Sequence, residues 1–236
     1  MALDYFAGAV AERYDATIGE WGHPAVVGAT VDFLAELAGG GAALELGIGT
    51  GRIALPLAAR GIRVEGIDLS PDMVAQLSAK PGGADISVTI GDFASTRVGD
   101  GFSLAYVVFN TINNLTTREA QVACFENVAA QLAPGGCFVV EVGVPSADRL
   151  RVFDLSETHV GVDEYDPATQ RLVSHHFNLV DGRWERLSVP FRSVSPSELD
   201  LMARLARMRL RERWSGWKRE PFTSTSTNHV SVWEKQ

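Results

Sequence analysis

The chain has 236 residues, 46% of them hydrophobic, and a formal net charge of −8 at pH 7. That length and apolar share suit one α/β domain carrying an insertion, with ample material for a core. An acidic balance of this size excludes a surface built to neutralise a phosphate backbone, so nucleic acid is not expected as a partner.

In chain order, residues 7–17 and 24–37 have helical periodicity. A strand over 42–46 ends in Gly47-Ile48-Gly49-Thr50-Gly51, and a helix over 52–60 follows. The next strand, 62–68, leads into Ser70-Pro71, an N-cap and first-turn proline for a helix through Ala79. Residues 86–90 and 104–109 are a third and a fourth strand. Thr116 and Glu119 form a capping box for a helix through Leu132. Pro134-Gly135-Gly136 stops that helix, and 137–142 is a fifth strand, apolar apart from Glu141. This alternation predicts an α/β fold around a parallel sheet.

Beyond Val144 the pattern changes. Polar and apolar residues alternate from about 159 to 193, with turn signals at Asp166-Pro167 and Asp181-Gly182, which predicts a small antiparallel insertion. Ser195-Pro196-Ser197-Glu198 opens a helix to about Arg207, and strands near 210–214 and 229–234 close the chain. Arg204, Arg207, Arg209, Arg211 and Arg213, interrupted by Asp200 and Glu212, read as a solvated helix and strand face. Cys124 and Cys137 lie among apolar neighbours and read as buried free thiols, so no metal site is expected. With no basic leader and no bilayer-length apolar run, the expectation is a cytoplasmic protein without a membrane partner.

A strand ending in glycines before a helix N-terminus binds anions or nucleotides, because ligands can approach the backbone and its free N–H groups. The glycines alone are equally consistent with a tight turn. Asp68 ends the next strand, where a carboxylate can accept both hydroxyls of a ribose; Ser70-Pro71 already caps the following helix. Asp92, in Gly91-Asp92-Phe93, could accept from an adenine amine with Phe93 beside the ring, or serve as a turn residue. The spacing is Gly-x-Gly-x-Gly, and Arg52 holds the place of the third glycine of a dinucleotide fingerprint. No Lys-Ser or Lys-Thr follows as a P-loop requires, and no Tyr-x-x-x-Lys pair supports a nicotinamide-dependent reductase.

Residues 44–52, Leu-Glu-Leu-Gly-Ile-Gly-Thr-Gly-Arg, resemble motif I of the class I S-adenosylmethionine-dependent methyltransferases. Residues 66–73 resemble the family's second motif, Gly91-Asp92-Phe93 its adenine-contacting motif, and residues 132–136 the turn before its fifth strand. Ala11-Glu12-Arg13-Tyr14-Asp15 is similar to the cap segment of bacterial small-molecule members, whose tyrosine closes over the cofactor. The resemblance implies a Rossmann-like, doubly wound sheet of seven strands, the last antiparallel, with the insertion roofing an acceptor site. It divides the chain into a helical cap (1–40), a cofactor-binding core (41–144), the roof (145–194) and the closing part of the core sheet (195–236).

It also implies the cofactor S-adenosyl-L-methionine, with a role for each matching residue. Gly47, Gly49 and Gly51 would hold the methionine amino group, Glu45 would support the turn, and Tyr14 would close over it. Asp68 would bind the ribose, Leu69 and Met73 would flank the adenine, and Asp92 and Phe93 would recognise its edge. Asn110 would approach the methionine portion.

Methyl transfer is an in-line displacement that requires alignment and exclusion of water, and a base only when the nucleophile must lose a proton. His175 and His176 point to opposite faces of one strand, so at most one lines the roofed pocket, and His176 is either the candidate base or a surface or structural histidine. Glu141 is either a catalytic carboxylate or a buried one satisfied by a backbone N–H or an arginine. Asn113 and Asn114 either contact the acceptor, with His175, or form a turn. Where members acting on nucleic-acid or protein amides carry Asn-Pro-Pro-aromatic, this chain has Asn110-Thr111-Ile112-Asn113. The acceptor expected is therefore a small molecule, methylated on N, O or C. A fold that binds the cofactor without turnover is the non-enzymatic alternative, and a homo-oligomer is compatible with either. Core packing is the default reading of Trp184, Trp214 and Trp217, against an aromatic acceptor pocket.

Overall fold

Short apolar strands separated by helices require a sheet covered on both faces. The computed structural model, which describes residues 4–146 and 148–236, contains that sheet. Helices α1 (Ala9–Thr17) and α2 (Pro24–Ala38) precede β1 (Ala43–Leu46). Then come α3 (Ala54–Ala58), β2 (Val64–Asp68), α4 (Pro71–Ser78), β3 (Ser87–Ile90), β4 (Phe102–Val107), α5 (Arg118–Gln131) and β5 (Leu132–Gly143). Strands β6 (Leu150–Leu155), β7 (His159–Asp166), β8 (Arg171–Val180) and β9 (Arg183–Arg192) form a separate antiparallel sheet. Helix α6 (Pro196–Leu205), β10 (Met208–Trp214) and β11 (Asn228–Lys235) return to the first.

The main sheet has seven strands in the order β10-β11-β5-β4-β1-β2-β3. Strands β1 to β5 are parallel, and β11 runs antiparallel to both its neighbours, as expected for the last strand. Alternate residues of one strand enter different cores. Leu44, Ala105, Phe138 and Val140 pack with Phe125, Val128, Leu199 and Trp233, while Ala43, Leu104, Tyr106 and Val139 pack with Val31, Phe33, Leu34 and Leu57. Phe125 sets its edge against Phe138 and Trp233 at 5.0 and 5.4 Å between centroids, the favoured geometry for aromatic pairs. Both cysteines are free and buried. Among the described residues no helix is long and apolar enough to cross a membrane.

Local signals place most helix starts. The Ser70 and Ser195 side chains accept from the N–H groups of Met73 and Glu198, each three residues on. The long helix is capped by Thr117, not Thr116: the Thr117 hydroxyl accepts from Ala120 N at 3.1 Å. Helix α3 covers only Ala54–Ala58 of the expected 52–60. Strand β4 ends at Val107 rather than 109, because Phe109 and Asn110 adopt φ of 57° and 59° and leave the ladder. Strand β6 lies within the expected insertion of 145–194 but precedes its alternating stretch from about 159. All six of its residues are exposed, so it has no buried face to produce an alternating pattern.

The roof is fastened to the core by Arg192, 5% exposed. Its guanidinium donates to Gln121 on α5, to Gln170 Oε1 at 2.5 Å and to Glu198 Oε1 at 2.6 Å, and Gln121 Nε2 donates back to the Arg192 carbonyl at 3.1 Å. Removing one member of such a buried network leaves the others desolvated and unpaired. Replacing Arg192 with Met should lower the unfolding free energy by about 3 kcal/mol in urea melts and speed proteolytic nicking within 145–194; a loss below about 1 kcal/mol would show that the roof is held by other contacts.

Candidate active site

The glycine turn lies at the C-terminal edge of the sheet, where β1 hands over to the segment before α3. Gly47, Gly49 and Gly51 all have positive φ, at 68°, 55° and 79°. Space excludes side chains as firmly as conformation does. A Cβ on Gly47 would lie 2.5 Å from Thr111 Cγ2, and one on Gly51 would lie 2.3 Å from Leu77 Cδ1. The turn is tied to the next strand tip: Gly47 N and Ile48 N donate to the Ile67 carbonyl, and Gly49 N donates to Asp68 Oδ2 at 2.6 Å.

Asp68 Oδ1 accepts from Ser70 N at 2.9 Å. Each oxygen thus uses one lone pair on backbone and keeps another for a ligand hydroxyl. Burial pushes this carboxyl above its usual range, with the Ser70 and Gly49 N–H groups opposing. Leu69 is exposed and Met73 buried, with Met73 Cε 3.2 Å from where a Gly49 Cβ would stand. Asp92 adopts the turn geometry: its Oδ1 accepts from Ala94 N at 2.9 Å, and its carbonyl from Ser95 and Thr96. Phe93 is buried, its ring edge 3.9 Å from a Cβ built on Gly47.

Helix α1 and the residues before it cover this edge. Gly8 N donates to Asp72 Oδ2 at 2.6 Å, and Thr50 Oγ1 donates to Asp15 Oδ1 at 2.6 Å. Lys80 reaches Asp15 at 2.5 Å and donates to the Thr50 carbonyl at 2.8 Å. Tyr14 lies 6.2 Å from Phe6, edge to face, and burial pushes its hydroxyl up to about 12.

Behind the turn, Glu45 is fully enclosed and accepts from Tyr106 Oη at 2.9 Å. Burial raises it from 4.5 to about 8, against the pull of the Tyr106 hydrogen bond and the Arg52 charge. Glu141 has the backbone partner that its structural reading expects. It is buried, its Oε2 accepts from Phe109 N at 2.6 Å, and burial raises its pKa. Arg52 was informative in the sequence only as a mismatch. In the structure it donates to the Trp21 carbonyl at 3.0 Å, lies 5.3 Å over the Phe109 ring, and its charge acts on Glu45, Glu141 and Tyr14.

The left-handed Asn110 turns its side chain back, so that Oδ1 accepts from Gly143 N at 2.6 Å. Asn113 and Asn114 belong to a 3-10 turn, Thr111–Asn114, and the buried Asn113 Oδ1 has no partner among the described residues. Strand β9 packs on that turn, so the four-stranded sheet touches the residues that follow β4. His175 and His176 do face opposite ways. His175 Nδ1 pairs with Ser188 Oγ at 2.8 Å, while His176 shares the face of buried Ser174. Trp184 is exposed, neither core nor pocket, whereas Trp217 packs on Phe33 at 5.5 Å.

Comparison with known proteins gives a consistent picture. Residues 43–136 match a family model described as a methyltransferase domain. The chain is 32% identical to the CcbJ methyltransferase of Streptomyces caelestis, covering 99% of each chain with a TM-score of 0.88. It is 27% identical over 204 residues to a cypemycin N-terminal methyltransferase of a Streptomyces species, covering 82% of each. The fold is also that of CalS10, an amino pentose methyltransferase of Micromonospora echinaspora solved with bound S-adenosylmethionine, at 21% identity, 98% coverage of each chain and a TM-score of 0.74.

Glu45 makes the stability of this edge depend on pH. With its pKa raised from 4.5 to about 8 on folding, the stabilisation from its proton is complete below about pH 4.5 and lost as pH rises towards about 8. Urea melts of Glu45→Gln should therefore show a variant that gains on the parent between about pH 5 and about pH 8.5; a constant difference across that window would contradict the buried, protonatable carboxyl.

Proposed function

The chain belongs to the class I S-adenosylmethionine-dependent methyltransferases, and from that premise we propose that it methylates an amine nitrogen of a small natural-product intermediate, such as an amino sugar or a short peptide. The observation that carries the small size is the roof. Strand β9 rests on the Thr111–Asn114 turn, a contact that supports a covered acceptor side rather than an open groove. The amine is supported by the acidic character of the chain, since negative charge attracts an ammonium group, and by the N-terminal methylation in the name of the cypemycin relative.

S-adenosyl-L-methionine fits the residues present: the turn has no room for a Cβ at Gly47 or Gly51, and Asp68 offers two free lone pairs. When bound, it supplies a methyl group already activated on a sulfonium. Asp68 accepts the ribose hydroxyls, with Leu69 and Met73 flanking the adenine and Asp92 and Phe93 at its edge. The backbone of Gly47, Gly49 and Gly51 receives the methionine ammonium, Arg52 its carboxylate, and Asn110 borders the methionine portion. Glu45, behind the turn, holds β1 and β4 in register through Tyr106. Tyr14 on α1 excludes water from above. Asn113, Asn114 and His176 face the acceptor. Glu141 is a positioning residue that fixes the Phe109 backbone. His175, on the outer face with Ser188, has no part in this reading.

Transfer of radiolabelled methyl groups to a panel of amino sugars, amino acids and N-terminal peptides tests the acceptor class; label entering only phenols or carboxylates would overturn the amine. Asp68→Asn should weaken S-adenosylhomocysteine binding about 10- to 100-fold by calorimetry, while NADH should bind neither protein. Undiminished affinity in the variant would remove Asp68 from the ribose role.

A further inference from the structure

The roof carries a second constellation that the cofactor site does not use. Asp154 Oδ2 lies 2.6 Å from His159 Nδ1, His159 Nε2 lies 3.1 Å from His176 Nδ1, and His176 Nε2 lies 3.2 Å from Ser174 Oγ. The two imidazoles stack with centroids 5.3 Å apart and planes 21° from parallel, and Phe153 lies edge-on at 5.4 Å from His176. Register puts them on one face, with Gly161 opposite His176 and Asp163 opposite Ser174. Gly161 makes the room: a Cβ there would lie 2.3 Å from the Phe153 ring.

Exposure falls along the chain of contacts. The Asp154 side chain is 48% exposed, that of His159 23%, and Ser174 is 6% exposed. Ser174 pairs with buried Val189 on β9, the strand that leans on the Thr111–Asn114 turn. One end therefore meets solvent and the other lies inside the roof.

Three contacts require three donated protons, and two neutral imidazoles with one hydroxyl supply them. The chain is therefore complete with both rings neutral, each donating from Nδ1 and accepting at Nε2.

We propose that Asp154, His159, His176 and Ser174 form a proton relay across the roof, which takes a proton from the acceptor at the buried end and releases it to solvent at Asp154. This rests on the amine reading above. The acceptor's N–H bond breaks with its electron pair left on nitrogen, and a new bond to hydrogen forms at the His176–Ser174 end. Each ring hands on one proton as it takes another, and Asp154 passes the last to water. His176 and Ser174 meet the acceptor; His159 and Asp154 are positioning residues. Burial, together with the neighbouring His159 and His175, holds His176 below its ordinary value, so the ring is neutral and able to accept. The other charged or titratable groups around it are Arg151 on β6, Asp163 on β7, His175 on β8 and Glu185 on β9.

The test is histidine-ring NMR on the full chain, isotope-labelled at the ring nitrogens, loaded with S-adenosylhomocysteine and titrated from about pH 5 to about pH 9. His159 and His176 should titrate as a coupled pair. Asp154→Asn, which removes the partner of His159 alone, should move the His176 midpoint by about one pH unit, and Ser174→Ala should move the His159 midpoint from the other end. His23 and His229 should stay fixed. Independent titration of the two rings, with His176 unmoved by Asp154→Asn, overturns the relay. If Asp154→Asn fails to fold, Ser174→Ala decides the matter by the same reading at His159. The signals need no acceptor, so loss of coupling removes the relay and leaves methyl transfer standing, whereas a silent amine panel removes the amine reading.

Discussion

Two carboxylates, Glu45 and Glu141, are buried at the same edge of one sheet, and Arg52 is the cation whose charge reaches both. Burying an acid is costly unless hydrogen bonds and opposite charge compensate. Here Tyr106 and the Phe109 backbone supply the bonds, and Arg52 supplies the charge. Because Arg52 follows the last glycine of the turn, the same residue joins the turn to the tips of β1 and β5. Its anchor is the Trp21 carbonyl, and its stacking surface is Phe109, so the N-terminal segment and the residues after β4 are drawn to one point. The cofactor's corner is rigid because these groups would be stranded without one another.

The roof answers to a different constraint. It shares no strand with the main sheet, so backbone pairing cannot position it. Arg192 replaces that pairing with side-chain bonds to α5, to the β7–β8 connection and to the start of α6. These partners belong to core elements or to the insertion's own hairpin. A guanidinium suits the task because it donates in several fixed directions at once and stays charged.

What could be read from the sequence was local. The glycine turn, the Ser70 and Ser195 caps and the period-2 alternation at His175 and His176 each depend on residues a few positions apart, and the structure has them. The Thr116 cap failed by one residue because Thr117 is an equally good acceptor, and only backbone geometry chooses between them. Strand β6 was invisible for want of a buried face. Glu141 stood at a recognisable edge, but a carboxylate satisfied by Phe109 N and one left free look identical in sequence. The approach of Asp154, His159 and His176 depends on the register of three strands, which no spacing along the chain reveals.

The chain enters the four-stranded sheet after Gly143 and leaves it after Arg192, and β5 and β9 both contact the Thr111–Asn114 turn. Everything between them is built from consecutive hairpins that pair only with one another. Such a segment is a unit of exchange. Recombination within Val144–Arg149 and Ser193–Ser195 transplants an entire ceiling while the cofactor's corner keeps every contact of its own. Gln121 and Glu198 are the sockets that any transplanted segment must fit.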